Sequence, residues 1–134
     1  MFIDIINNVS IYLINIILGI MLFFSFVVAP ITFTTLNEEN ARKFIRKIFP
    51  YYYNVNLVIS FLILIFFTIL GNFSLNYYLI LVVTLLFVLS SFILMPLINK
   101  YRDEKQNIKF KYTHFTSVLI NFLQMILLVI ILVL

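Results

Sequence analysis

A chain of 134 residues that is 64% hydrophobic and only 10% charged, with a mean hydropathy of +1.17, has too little polar surface to cover a water-soluble domain, so a globular enzyme or binding module in water is excluded. Without cysteine it has neither disulfides nor thiolate metal centres. The net charge of +4 comes from nine Lys and Arg that are confined to two short stretches, and no nucleic-acid partner is expected. The wealth of Ile, Phe, Asn, Lys and Tyr, with two glycines and no Trp, would follow from an AT-rich genome, so single Asn or Tyr residues carry little weight on composition alone.

The N-terminus, MFIDIINNVSIYL, lacks the basic start and small-residue cleavage site of a signal peptide and has Asp4 instead, and it is expected to be retained. The first uncharged apolar segment runs from about 9 to 33. A window of about 20 such residues, at ~1.5 Å each, crosses a hydrocarbon layer of ~30 Å. The connection TLNEENARKFIRKIFP follows, with Asn37 as a helix N-cap, Glu38 and Glu39 at the positive end of the dipole, and Arg46 and Lys47 at the negative end. Phe44, Ile45, Ile48 and Phe49 would share a face, which predicts an amphipathic helix over about 38–49 lying on the inner leaflet, the alternative being a solvated basic loop. Pro50 then opens a second membrane helix over about 51–70.

GNFSLN forms a tight uncharged turn, with Gly71 suited to the left-handed conformation that ends a helix. The third apolar segment spans about 75–98, the basic connection NKYRDEKQNIKFKY follows, and the fourth segment spans about 112–134. Backbone in lipid must satisfy its hydrogen bonds within its own segment, so all four are helices. The expected fold is an all-α integral membrane four-helix bundle, a single transmembrane domain over 1–134. Arg42, Lys43, Arg46 and Lys47 lie in the first basic connection, and Lys100, Arg102, Lys105, Lys109 and Lys111 in the second. Short Lys- and Arg-rich loops stay cytoplasmic, which predicts both termini outside. Each half also reads as a membrane helix with a proline near its inner end (Pro30, Pro96), a basic connection, and a helix with polar first turns. Residue identity between the halves is slight.

No charged side chain falls within a span, which removes the commonest marker of ion coupling or proton relay. On the fourth helix His114, Ser117, Asn121 and Gln124 follow helical steps and form one stripe, expected to face the bundle. At the same depth lie the end of the first helix (Pro30, Thr32, Thr34), the start of the second (Tyr51 to Asn56) and the end of the third (Ser90, Ser91, Pro96). One reading is a cavity open to the cytoplasm, with His114 as donor, acceptor, proton carrier or ligand. The other is interhelical glue, at about 0.6 to 2 kcal/mol per contact. No carboxylate within a span can orient the imidazole, only Asp103 and Glu104 in the adjacent loop are near, and a hydrolytic triad is not expected. A haem or copper role would have one imidazole per chain, with Met21, Met95 and Met125 at different depths, and no cofactor is expected.

The stretches LGIMLFFSFVVAPITFTTL, RKIFPYYY and THFTSVLINFLQ resemble the family of small four-helix membrane proteins typified by transmembrane protein 205 and its bacterial relatives, the domain of unknown function 4149. The family's pattern in the first helix falls on Gly19, Phe23, Phe24, Ala29, Pro30 and Phe33. Its F-P-x-Y falls on Phe49, Pro50 and Tyr52, and its H-x-x-S-x-x-x-N on His114, Ser117 and Asn121. The tryptophans and glycines frequent in relatives are missing, in line with genome bias. Depth and helical phase, on which the resemblance converges, point to a pocket of His114, Ser117 and Asn121 flanked by Pro30, Phe33, Pro50 and Tyr52, with Gly19 at a helix contact, and the resemblance implies a location in the cell inner (plasma) membrane of a bacterium. It supplies no substrate. Four helices are few for a complete transporter, so a homo-oligomer or a membrane partner is expected, with anionic lipid at the basic inner surface.

Overall fold

The computed structural model describes residues 1–134, and it contains four long helices: α1 (Phe2–Thr35), α2 (Glu38–Ile69), α3 (Leu75–Asp103) and α4 (Asn107–Val133). All four are long and apolar enough to cross a membrane. Each is longer than its apolar window. At ~1.5 Å per residue the 32 residues of α2 extend about 48 Å, well beyond a hydrocarbon core of ~30 Å. Lys, Arg and Glu are good helix formers, so the basic segments continue the spans as helix instead of breaking into loops.

Four bounds differ from the sequence reading, one of them the end of α3, which continues as helix to Asp103, five residues past the expected 98. Helix α1 begins at Phe2 because its buried stripe extends upstream, through Ile6, Ser10, Ile14, Ile17 and Met21, and this phase turns Asn8 outward. The segment 38–49 is not a separate interfacial helix. Buried Ala41 is followed at steps of three and four by half-buried Ile45 and Ile48 and then, across Pro50, by buried Tyr52, Tyr53, Asn56 and Ser60, so one face is kept and the chain has no reason to turn. Proline also fixes φ near the helical value, and its missing N–H removes a single bond to Arg46. Helix α4 starts five residues before the expected 112, at Asn107.

The N-cap of α2 is as expected, with Asn37 extended and its side chain accepting from the Asn40 N–H at 2.9 Å. Gly71, at φ +62°, ends α2: its N–H bonds the Thr68 carbonyl at 3.0 Å and the Asn72 N–H reaches back to Phe67 at 2.9 Å. Lys105, at φ 55°, ends α3 with the same pair of bonds, to Arg102 at 3.2 Å and from Gln106 to Tyr101 at 2.9 Å.

Both prolines in odd-numbered helices follow a widened turn. Residues Phe24–Val28 and Ser90–Leu94 are π-helical, with Ala29 N–H bonded to Phe24 and Met95 N–H to Ser90, five residues back. The extra residue in the turn relieves the clash between a proline ring and the carbonyl four residues before it. The sequences are SFVVAP over 25–30 and SFILMP over 91–96, so the weak echo between the halves has a conformational counterpart.

The helices pack in a closed ring, each against its two sequence neighbours, with α4 returning to α1. Ile17, Met21, Ile63, Ile80, Val83, Phe87 and Leu128 have no solvent exposure and fill the centre. Phe26, Phe61, Leu85 and Ile126 point outward and are each more than half exposed. Such a surface is stable only against lipid. Ser10, Thr32 and Thr84 donate to the carbonyl four residues back, at 2.9, 2.7 and 2.8 Å, so these buried hydroxyls satisfy themselves within their own helices. At the basic end of the bundle, Arg46 grips Asp103 with two bonds of 2.8 and 3.3 Å and ties α2 to α3.

Candidate functional site

Helices α2 and α4 run in the same direction from the basic end, so the first turns of one meet the first turns of the other. Tyr52 donates from its hydroxyl to Asn121 Oδ1 at 2.7 Å, and Asn121 Nδ2 donates to the Ser25 hydroxyl on α1 at 3.0 Å. One amide thus joins three helices. Beside it, the Tyr53 and Ser117 hydroxyls share a bond of 3.3 Å. Helix α3 enters through Ser91, which donates to Asn54 Oδ1 at 3.4 Å.

Aromatic rings stand over this polar floor. Phe24 stacks on Tyr52 with centroids 4.4 Å apart, and Phe49 stacks on Tyr53 at 5.6 Å. Between them is a cavity of about 320 Å³ to which all four helices contribute. At its rim the Arg102 guanidinium lies 3.9 Å from the centre of the Phe110 ring, and Phe110 lies parallel to His114 at 5.7 Å. Arg42 and Arg46 complete the rim. One turn beyond the floor, Gln124 donates to the Val83 carbonyl at 3.1 Å and Asn56 to the Tyr52 carbonyl at 2.9 Å. The Gln124 and Asn56 side-chain oxygens are buried and unpaired.

Of the residues singled out in the sequence, Phe33, Tyr52, His114, Ser117 and Asn121 line this cavity. Ser117 is buried, Asn121 half-buried, and His114 exposed at the rim. Pro30 and Pro50 do not line it: Pro30 follows the widened turn of α1 and Pro50 lies inside α2. Gly19 is not at a helix contact. It is exposed, and nothing lies within 4 Å of where a Cβ would stand.

Sequence reasoning missed Ser25 and did not single out Tyr53, and it named Phe24, Phe49 and Tyr52 without the stacking that makes them a wall. A lone serine in FFSFVV gives no periodic signal, because the π turn that presents it is set by a proline five positions later. Tyr53 was legible as one of three successive tyrosines, of which helical phase allows only two to face inward.

Fold and site define a polytopic α-helical membrane protein with a polar-floored, aromatic-walled cavity at its basic end. Residues 12–107 match the family described as domain of unknown function (DUF4149), and the chain belongs to that family. The match runs from within α1 to the first residue of α4, so membership does not rest on His114, Ser117 or Asn121. No curated protein and no solved structure matches the chain.

Proposed function

We propose that this is an inner-membrane protein of bacterial type, with both termini outside and the basic end in the cytoplasm, whose cavity holds a small ligand. The observation that carries the reading is the cavity itself, with a floor of Ser25, Ser117 and Asn121 beneath the rings of Phe24, Tyr52 and Tyr53. Enclosure, apolar walls and a few convergent polar groups are what ligand sites share. His114 at the rim and Phe33 on the α1 side would meet the ligand first. Pro30 and Pro50 act on backbone shape rather than on the ligand.

Native mass spectrometry of protein released directly from membranes tests this. One bound small molecule per chain is expected, reduced in His114→Ala while the thermal unfolding midpoint is unchanged. A chain that flies bare from native membranes overturns the reading. For the orientation, a reporter fused after Leu134 should be active only outside, and activity inside reverses the assignment.

A second reading has its own support, because Tyr52, Ser117 and Asn121 already have hydrogen-bond partners across helices. Under it the protein is a structural or accessory subunit and the stripe is glue. Crosslinking in native membranes would then capture a specific membrane partner, and Ser117→Ala would lower stability without changing any bound mass.

A further inference from the structure

Two hollows meet at the basic end. One is the aromatic cavity just described; the other, of about 680 Å³, is lined by nine residues of which none is hydrophobic. The residues they share are Arg42, Arg46 and Arg102. Three guanidinium groups therefore stand on the boundary between an apolar chamber and a wet one.

We infer that the ligand of the cavity is an anionic phospholipid of the surrounding leaflet, with its phosphate at Arg42, Arg46 and Arg102 and one acyl chain in the chamber walled by Phe24, Tyr52 and Tyr53. This rests on the cavity being a ligand site. A free anion has no use for the aromatic chamber, and a neutral apolar molecule has none for three arginines; an amphiphile uses both. Arg42 is engaged by Glu38 and Arg46 by Asp103, but Arg102 has no carboxylate partner within salt-bridge distance. Its planar face rests on Phe110, which leaves the N–H edge free for paired phosphate oxygens. Five cations and three carboxylates line the polar hollow, so an anion is favoured there.

Spacing agrees with the chemistry. Tyr53 follows Arg46 by seven residues, so the tyrosine level lies about 10 Å deeper along α2 than the arginine level. Entry from the side is available, because Phe26, Phe33 and Phe122 line the cavity and are also exposed on the outer surface. Phe26 meets Phe122 edge to face across α1 and α4, with centroids 6.2 Å apart, and nearer the basic end Ala29–Thr35 of α1 packs on α2, so the side opening lies below that aromatic pair.

Full-length protein in detergent, titrated with phosphatidylglycerol or phosphatidylcholine of equal chain length and read by native mass spectrometry, tests the inference. Phosphatidylglycerol should bind at least about fivefold more tightly, the effect of one basic side chain at a membrane surface, and Arg102→Gln should remove about that factor. Arg102→Lys, which keeps the charge and loses the fork, should fall between. A phosphatidylglycerol with a diazirine on its acyl chain should label peptides containing Tyr53 or Ser117. Equal affinity for the two lipids, no effect of Arg102→Gln, or labelling confined to outward positions such as Leu85 overturns the inference. So does competition by inorganic phosphate alone at millimolar concentration, which marks an anion site without a chain. If the mass found in native membranes is a different small molecule, the lipid assignment fails and the cavity reading stands; if no mass is found, both fail.

Discussion

Removing the Asn121 amide should be the most informative single change in the bundle, because that group donates to Ser25 on α1 and accepts from Tyr52 on α2. Interhelical hydrogen bonds in membrane proteins average ~0.6 kcal/mol and reach ~1.7 kcal/mol. Asn121→Leu, which roughly preserves volume, deletes two of them and is expected to lower stability by about 1 to 3.5 kcal/mol. Tyr52→Phe deletes one and should lose about half as much. The double variant isolates their shared bond: at 2.7 Å it should show a coupling energy near ~1 kcal/mol. Reversible unfolding in mixed micelles, followed by helical circular dichroism, supplies the four free energies. A coupling below about 0.3 kcal/mol would lie within ordinary additivity and refute the reasoning, since Asn121 would then not organise the site through Tyr52.

Gly71→Ala, which forces a side chain into a left-handed conformation, should lower the unfolding free energy by about 1 to 2 kcal/mol. Gly19→Ala, on an open helix face, should leave it unchanged or raise it by up to about 1 kcal/mol; the opposite order of the two in the same unfolding assay would show that the Gly19 face is packed against another molecule. Lys105→Gly should stabilise by about 1 kcal/mol, because lysine holds a left-handed cap that glycine adopts without steric conflict. Arg46→Ala should lower stability by less than about 1 kcal/mol, and adding salt to wild type should remove most of that difference, since the Arg46 and Asp103 side chains are both largely exposed; a larger, salt-independent loss would show a pair shielded from water.

The membrane helices were legible because lipid demands long uncharged runs, and the stripe of Ser117, Asn121 and Gln124 was legible because a helix repeats its inner face every three to four residues. Two physical facts limited the rest. Proline was read as a boundary at position 50, yet a helix face that stays in phase across it holds the chain helical. At positions 30 and 96 proline acts backward through a π turn, which inserts a residue and re-aims the side chains of the turn before it; a fixed periodicity does not follow that shift, and Ser25 was hidden by it. The Arg102, Phe110 and His114 stack was out of reach for another reason. It joins the end of α3 to the start of α4 across a connection whose course is set by the left-handed Lys105.

The two π turns also say which residues belong to the scaffold. Ser25 and Ser91 are the second residues of their turns, 66 positions apart, as are Pro30 and Pro96. Ser25 bonds Asn121 on α4, and Ser91 bonds Asn54 on α2. Exchanging α1 with α3 and α2 with α4 carries one pair onto the other, the relation that a twofold axis along the bundle would impose. Phe26 meets Phe92 at the same spacing of 66, but the rings over the polar floor do not follow the repeat. At the spacing of 67 that relates Asn54 to Asn121, Tyr52 and Tyr53 meet Leu119 and Ile120, and at 66 Phe24 meets Ser90. A repeated frame of serine, asparagine and proline therefore holds the helices in register. Ser25 and Asn121 of that frame also floor the cavity, whereas Phe24, Tyr52, Tyr53, His114 and Ser117 break the repeat, and in the same unfolding assay substitution of the exposed His114 should cost less stability than substitution of Ser25 or Asn121.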